Sequence, residues 1–320
     1  MGAIRFESVT KHFPGMALPA VDNCSFDVEE GSFVVLLGPS GCGKTTLLKM
    51  VNRLVEPTEG TIYLGDTDIR QMNVNTLRRQ IGYVIQQTGL FPHMTVAENV
   101  SVVPRLLGWK REHTRERVDE LLGLVELPPA EYRDRYPSQM SGGQQQRVGV
   151  ARALAGDPQV ILMDEPFGAI DAITRAGLQN ELVALQRQVR KTVLFVTHDV
   201  EEALYLADKI VVMRQGQIVQ YDTPFTILTQ PADSFVAELV GADDMVRHLG
   251  LISVEAVMTA MPAYDPPADQ PLISGTDHLR HALSLLLRTG SSALTVTDNG
   301  QAVGVLTLEH IRLSTGQAPV

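Results

Sequence analysis

The sequence predicts a large α/β unit, with a phosphate-binding turn at the carboxyl edge of a mostly parallel sheet, followed by a smaller α+β unit. Three observations carry this. A short apolar run, SFVVLL, leads into the glycine-rich stretch GPSGCGKT (Gly38 to Thr45) and then into TLLKMVNRL, whose Leu47, Leu48, Val51 and Leu54 recur at helical spacing. Two more apolar runs, QVILMDEP and TVLFVTHD, read as buried strands that end in polar groups. After about residue 241 the texture changes to proline-rich linker and short alternating strands.

Composition bounds the function. The chain has 320 residues, 44% hydrophobic and 20% charged, as expected of a soluble globular protein with one large and one small domain. Its longest uninterrupted apolar run, Phe33 to Leu37, is far short of a membrane span. MGAIRFESVTKHF lacks an apolar signal core, so no export is expected, and Gly2 is not followed by a myristoylation pattern. Cys24 and Cys42 give neither a disulfide framework nor a metal cluster, which suits a reducing compartment. A net charge of −10 argues against nucleic acid as a partner, because a phosphate backbone demands a basic face.

The strand–glycine loop–helix order turns GPSGCGKT into a P-loop. Glycines let backbone N–H groups converge on phosphate; Lys44 then neutralises β- and γ-phosphate charge, and Thr45 offers its hydroxyl to Mg²⁺. In QVILMDEPFGAID, Asp164 is the expected metal carboxylate and Glu165 the group that accepts a proton from, or orients, the attacking water. His198 closes TVLFVTH, beside these acids if the strands are neighbours. A second cradle occurs in MSGGQQQR: Ser141 is placed to cap a helix through Gln144, Val148, Ala151 and Leu154, with Gly156 as its stop.

GPSGCGKT, MSGGQ, ILMDEP and THD, in that order over residues 4 to 240, resemble the ATP-binding cassette family, the motor subunits of ABC transporters. The resemblance implies an ATPase domain over 1–240 with a helical subdomain at about 90–155, MgATP as the bound species, and a homodimer. Each ATP would lie between one chain's P-loop and the other's signature, Ser141, Gly142, Gly143 and Gln144. The nucleotide contacts implied are Gly38, Ser40, Gly41, Cys42, Gly43, Lys44, Thr45 and Thr46, with Phe13 stacking on adenine or, alternatively, packing in the core. Gln86 matches the glutamine that senses the metal and the attacking water, and Asp171, in GAID, the aspartate that links the two sites. Met140 replaces the commoner leucine before SGGQ, a volume-conserving change. Leu90-Phe91-Pro92 either helps form the groove for a transmembrane partner or is a satellite of the core.

In the tail, Thr276-Asp277 is expected to start a helix carrying Leu279, Ala282, Leu283 and Leu286 and stopping at Gly290; SALTVT and AVGVLT flank a hairpin at Asp298-Asn299-Gly300. Residues 241–320 resemble a linker and a single CBS motif, either regulatory or dimer-clamping. His310 stands where many CBS motifs have a ribose-binding aspartate. IGYVIQQTGLFPHMTVAENV, FVTHDVEEALYLADKIVVM and this tail together resemble importers of glycine betaine, carnitine, choline or proline. That resemblance implies permease subunits, an extracytoplasmic solute-binding protein and attachment to the cytoplasmic face of a membrane. The alternatives are a soluble ABC ATPase without a permease and a motor for another small solute.

Overall fold

The computed structural model describes residues 2–85, 89–168, 170–261, 270–298 and 300–314. The chain divides into two compact units, Met1–Thr223 and Pro224–Val320. This division falls ahead of the boundary expected near residue 240.

The first unit begins with an antiparallel sheet. β1 (Gly2–Lys11) pairs with β2 (Val21–Glu29), and the chain enters the core through β3 (Phe33–Leu37), the P-loop and α1 (Lys44–Val51). β4 (Glu59–Leu64), β5 (Thr67–Asp68), α2 (Val74–Arg79) and β6 (Ile81–Val84) follow, and the first sheet runs β2-β1-β4-β5. Four helices then intervene: α3 (Val96–Leu106), α4 (Arg111–Leu124), α5 (Pro129–Tyr132) and α6 (Gly142–Leu154). Three of them bury one another through Val100, Val118, Leu121, Leu122, Val148 and Ala151. The chain returns through β7 (Val160–Asp164), α7 (Ala172–Val189), β8 (Thr192–Thr197), α8 (Val200–Leu206), β9 (Lys209–Arg214) and β10 (Gln217–Asp222).

The second sheet has the order β10-β9-β3-β8-β7-β6, parallel except for β10. Strands β3, β7 and β8 are buried at every position, as unbroken apolar runs covered on both faces require. Register fixes the functional edge. Leu37 pairs with Thr197 and Asp164 with Val196, so β3, β8 and β7 end level with one another. Polar groups just beyond three adjacent strand ends therefore meet at one place, where open α/β sheets bind ligands.

Two expectations need correction here. Helix α1 ends at Val51, and Leu54 lies beyond it, 48% exposed. Gly156 is not the left-handed stop of α6, which is closed at Ala155. A Cβ on Gly156 would come within 2.6 Å of the Val103 side chain, so this glycine permits the close approach of α3.

The second unit contains α9 (Pro224–Thr229), α10 (Ser234–Val240), α11 (Met245–Leu249), β11 (Thr259–Ala260), β12 (Leu272–Ser274), α12 (Leu279–Thr289), β13 (Ala293–Asp298), β14 (Gln301–Thr307) and α13 (Leu308–Ser314). Its sheet runs β11-β14-β13-β12. Leu279, Ala282 and Leu286 of α12 pack into a core with Ile273, Leu294, Val296, Leu306 and Ile311. Gly290 ends α12 at φ 66°. The helix begins after His278 rather than at Thr276-Asp277, because the Asp277 carboxylate and the Thr276 N–H are taken up in the preceding turn with Ser274. Asn299 lies outside the described residues. Nδ1 of His310 accepts the Thr307 N–H at 3.2 Å, and Nε2 lies 3.2 Å from the Thr259 hydroxyl.

Candidate active site

The P-loop takes its shape from two glycines. Gly38 has φ 153°, and a Cβ there would lie 2.3 Å from the Met213 carbonyl oxygen; Gly43 has φ 111°, and its Cβ would lie 2.4 Å from that of Ala20. Neither position tolerates a side chain, so β3 turns into α1 with its backbone drawn tight. Lys44, 4% exposed, donates from Nζ to Gly38 O at 2.7 Å and Pro39 O at 2.9 Å. The buried Cys42 thiol lies 3.7 Å from the same ammonium. A buried ammonium held by the turn's carbonyls places a fixed cation at the start of α1, which suits an anion.

Across the strand ends, the Thr45 hydroxyl donates to Asp164 Oδ1 at 2.9 Å, joining α1 to β7. Burial pushes the Asp164 carboxyl above its ordinary range, against the Thr45 hydrogen bond and the charges of Lys49 and Lys44. The same apolar setting, together with the Asp164 charge, pushes the Tyr83 phenol up to about 12. A hydroxyl and a carboxylate side by side form a hard-oxygen pair that could hold Mg²⁺, a cation bound through few protein ligands and several waters. Among the described residues no cluster of three His, Cys, Asp or Glu side chains offers a fuller metal cage.

Glu165 leaves the strand at φ 44°, a left-handed conformation costly for a residue with a Cβ. Its N–H donates to Val196 O at 3.0 Å, which pins the turn to β8. Glu165 Oε2 lies 3.2 Å from His198 Nδ1. His198 follows β8 directly, with its side chain 55% exposed. The arrangement thus brings together Lys44, Thr45, Asp164, Glu165 and His198.

The second cradle stands apart. Ser141 caps α6 by accepting the Gln144 N–H at 3.3 Å, while Gln144 Oε1 accepts the Ser141 N–H at 3.0 Å. Gln144 also donates to the Tyr132 hydroxyl at 3.1 Å. A Cβ on Gly143 would lie 2.9 Å from Thr174 Cγ2 of α7. Ser141 and Gly142 remain exposed, and the Ser141 carbonyl accepts the Gln145 N–H at 2.9 Å. Asp171 caps α7 by accepting the Thr174 N–H at 3.1 Å and is exposed. Half-buried Phe13 follows β1, with Lys11 Nζ 5.1 Å from its ring centre. Gln86 and Ala169 lie outside the described residues.

Phe91 is 40% exposed and lines a groove of about 350 Å³ with Tyr83 and Arg152. Buried Asn99 holds the segment by accepting the Phe91 N–H and donating to the carbonyls of Phe91, Met94 and Thr95. Phe91 and Pro92 are exposed and Leu90 is half-buried, so the trio is not enclosed in the core. Sequence reasoning missed Arg175, Gln179, Asp199 and Glu202, which surround the His198 turn. One signal was present: Asp199 precedes Glu202 by three residues, the spacing of a capped helix start.

Known proteins match this architecture. The family model described as ABC transporter matches residues 21–168. The chain is 46% identical over 317 residues to the osmoprotectant import ATP-binding protein OsmV of Salmonella typhimurium, covering 98% of this chain and 81% of that one. It is 47% identical over 313 residues to the carnitine transport ATP-binding protein OpuCA of Listeria monocytogenes, covering 97% and 76%. With the glycine betaine uptake system ATP-binding protein YehX of Escherichia coli it shares 46% over 310 residues, covering 96% and 98%. Among solved structures, a dimeric ATP-binding cassette in a post-hydrolysis state, bound to ADP and Pi, is 34% identical with a TM-score of 0.61. It covers 69% of this chain and 98% of its own. No helix of the described residues is long and apolar enough to cross a membrane. Fold, site and near full-length identity agree: the chain belongs to the ABC transporter family, as one of its ATP-hydrolysing subunits.

Proposed function

We propose that this chain is the motor of an importer for a quaternary-amine osmoprotectant such as glycine betaine, carnitine or choline. The observation that carries the solute class is identity of 46–47% across 96–98% of the chain, tail included, to relatives named for those solutes. Two copies would close head to tail over two ATP, each nucleotide between one chain's Lys44 loop and the other's Ser141 cap. The exposed, outward-facing Ser141–Gly142 turn supports this arrangement. Phe13 would meet adenine, and Gly38 to Thr46 would surround the phosphates.

The chemistry follows from the strand-end groups. Lys44 holds the β- and γ-phosphate oxygens with a fixed cation. Thr45 and Asp164, with Gln86, would hold Mg²⁺, which neutralises charge developing on the phosphate oxygens. Glu165 accepts a proton from the water whose oxygen bonds to the γ-phosphorus, while the bond to the β-bridging oxygen breaks and ADP leaves. His198, exposed beside Glu165, orients that carboxylate and reaches the γ-phosphate. Asp171 links the two composite sites, and hydrolysis reopens the dimer; closure on ATP is a population shift set by differential affinity.

The groove beside Phe91 supports docking to a transmembrane permease on the cytoplasmic face, fed by an extracytoplasmic solute-binding protein. The tail, CBS-like in sequence, would clamp the two copies together. The test is uptake of labelled glycine betaine, carnitine and choline at high osmolarity by cells lacking this chain. Wild-type protein should restore uptake of at least one, and the Lys44→Ala variant of none. Uptake equal with and without the chain for all three would overturn the solute assignment.

A further inference from the structure

The His198–Glu165 pair is fixed on one side by the strained turn of Glu165 and its bond to Val196. What holds the other side is a set of contacts from α7 to the start of α8. Arg175 donates from Nη1 to Asp199 Oδ2 at 3.3 Å and from Nη2 to Ile170 O at 3.1 Å. Asp199 adjoins His198 and caps α8, accepting the N–H groups of Glu201 and Glu202 at 2.9 and 3.3 Å. On the other side of His198, the Thr197 hydroxyl accepts the Asp199 N–H at 3.0 Å and donates to Glu202 at 2.6 Å. Gln179 donates to the second oxygen of Glu202 at 3.3 Å. Arg175 and Gln179 are four residues apart, so both reach out from one face of α7. The neighbours of His198 on either side are therefore held, and both connections originate on the helix that Asp171 caps.

We propose that Arg175 is a positioning residue: its guanidinium ties the turn leading into Asp171 to the cap beside His198, so that the geometry of the His198–Glu165 pair depends on the Asp171 turn. The inference rests on reading His198 and Glu165 as catalytic. A planar fork suits this task, because two separated donors fix both the carbonyl and the carboxylate at once. The side chain is 31% exposed, so the link is too wet to act mainly as a source of stability. Its value lies in angle and distance at His198, where small misplacements lower rates steeply. It also gives the partner chain a route to the catalytic pair, since whatever Asp171 meets across the dimer bears on the same turn.

The experiment compares kcat and KM for ATP in full-length protein for wild type, Arg175→Met, Arg175→Lys, His198→Gln and the double variants of each Arg175 change with His198→Gln. Arg175→Met should lower kcat about tenfold with KM nearly unchanged, the size expected of a coupling through a single strut. Arg175→Lys should recover part of the loss, keeping the charge near Asp199 but not the fork. In the His198→Gln background, Arg175→Met should cost less than about twofold, because the group it positions is gone. Equal losses in both backgrounds, a change confined to KM, or no loss at all would overturn the proposal. Where the Met variant does not fold, the Lys variant carries the same comparison with the same criteria. Full activity of His198→Gln itself would instead overturn the catalytic reading on which the inference stands.

Discussion

Replacing Glu165 by Gln isolates proton acceptance from every other property of the site. The carboxamide keeps the shape of the side chain and an oxygen to accept from His198, now 3.2 Å from Oε2. Backbone strain at φ 44° and the N–H bond to Val196 are the same for either residue, so the turn survives. What is lost is a base within reach of water, a contribution of about 10²- to 10⁴-fold, or roughly 3–5 kcal/mol at 1.36 kcal/mol per decade. The charge is lost too. Glu165 is one of the groups that push the neighbouring Asp164 carboxyl upward, so the variant relieves repulsion among Asp164, Glu165 and an incoming γ-phosphate. ATP binding should persist or tighten while hydrolysis falls by two to four decades, and closed dimers should accumulate with ATP. Phosphate release gives the rate, and size-exclusion chromatography with light scattering gives the dimer. Hydrolysis at the wild-type rate would remove Glu165 from its role; a slow variant that stays monomeric with ATP would refute the argument from charge.

Two further outcomes follow from single groups. Lys44→Ala should abolish hydrolysis and weaken ATP binding severely, measured by titration with a fluorescent nucleotide, since the phosphates lose their only cation fixed within the glycine turn; unchanged affinity would contradict the role assigned to Nζ. Glu202→Gln tests a buried acid whose carboxyl is held above its ordinary 4.5 by burial, partly offset by the Thr197 hydrogen bond. Below 4.5 both folded and unfolded chains carry the proton; as pH rises above it the unfolded chain releases the proton first, so this group lowers stability progressively up to its folded pKa. The midpoint of urea unfolding for Glu202→Gln, relative to wild type, should therefore increase between pH 4.5 and 7, and a pH-independent difference would refute the assignment.

The site was legible where chemistry demands particular residue types at fixed spacing. GPSGCGKT, the paired acids and the terminal histidine each follow an apolar run, and parallel strands bring their ends level without any further information. The cap at Ser141 was equally readable, because a serine three residues before a glutamine satisfies two helix-start donors reciprocally. What escaped were relations that depend on which helix packs where. Gly156 looks like a helix stop in sequence, yet its missing Cβ serves Val103 on α3, more than fifty positions away. Arg175 and Gln179 look like solvated positions on an amphipathic helix; only the placement of α7 beside α8 gives them Asp199 and Glu202 as partners. Leu54 fitted the helical period, but the chain leaves α1 at Asn52 before the period reaches it.

Asp164 and Glu165 show why adjacency in sequence does not mean equivalence in function. Asp164 is the last residue of a buried strand and 8% exposed, so its carboxylate is costly unless something nearby is positive or donates a hydrogen bond. Thr45 supplies one hydrogen bond, and a divalent cation would supply the rest, which makes this position suited to holding metal rather than exchanging protons. One residue later the backbone turns into the left-handed region and sends Glu165 toward His198 and solvent. A base needs water access and a neighbour that orients it, and this position offers both. On the roles proposed above, the left-handed turn at Glu165 is what would separate two identical functional groups into two tasks. Were both acids in extended conformation, alternation would send them to opposite faces of the sheet, and only one would reach the P-loop edge.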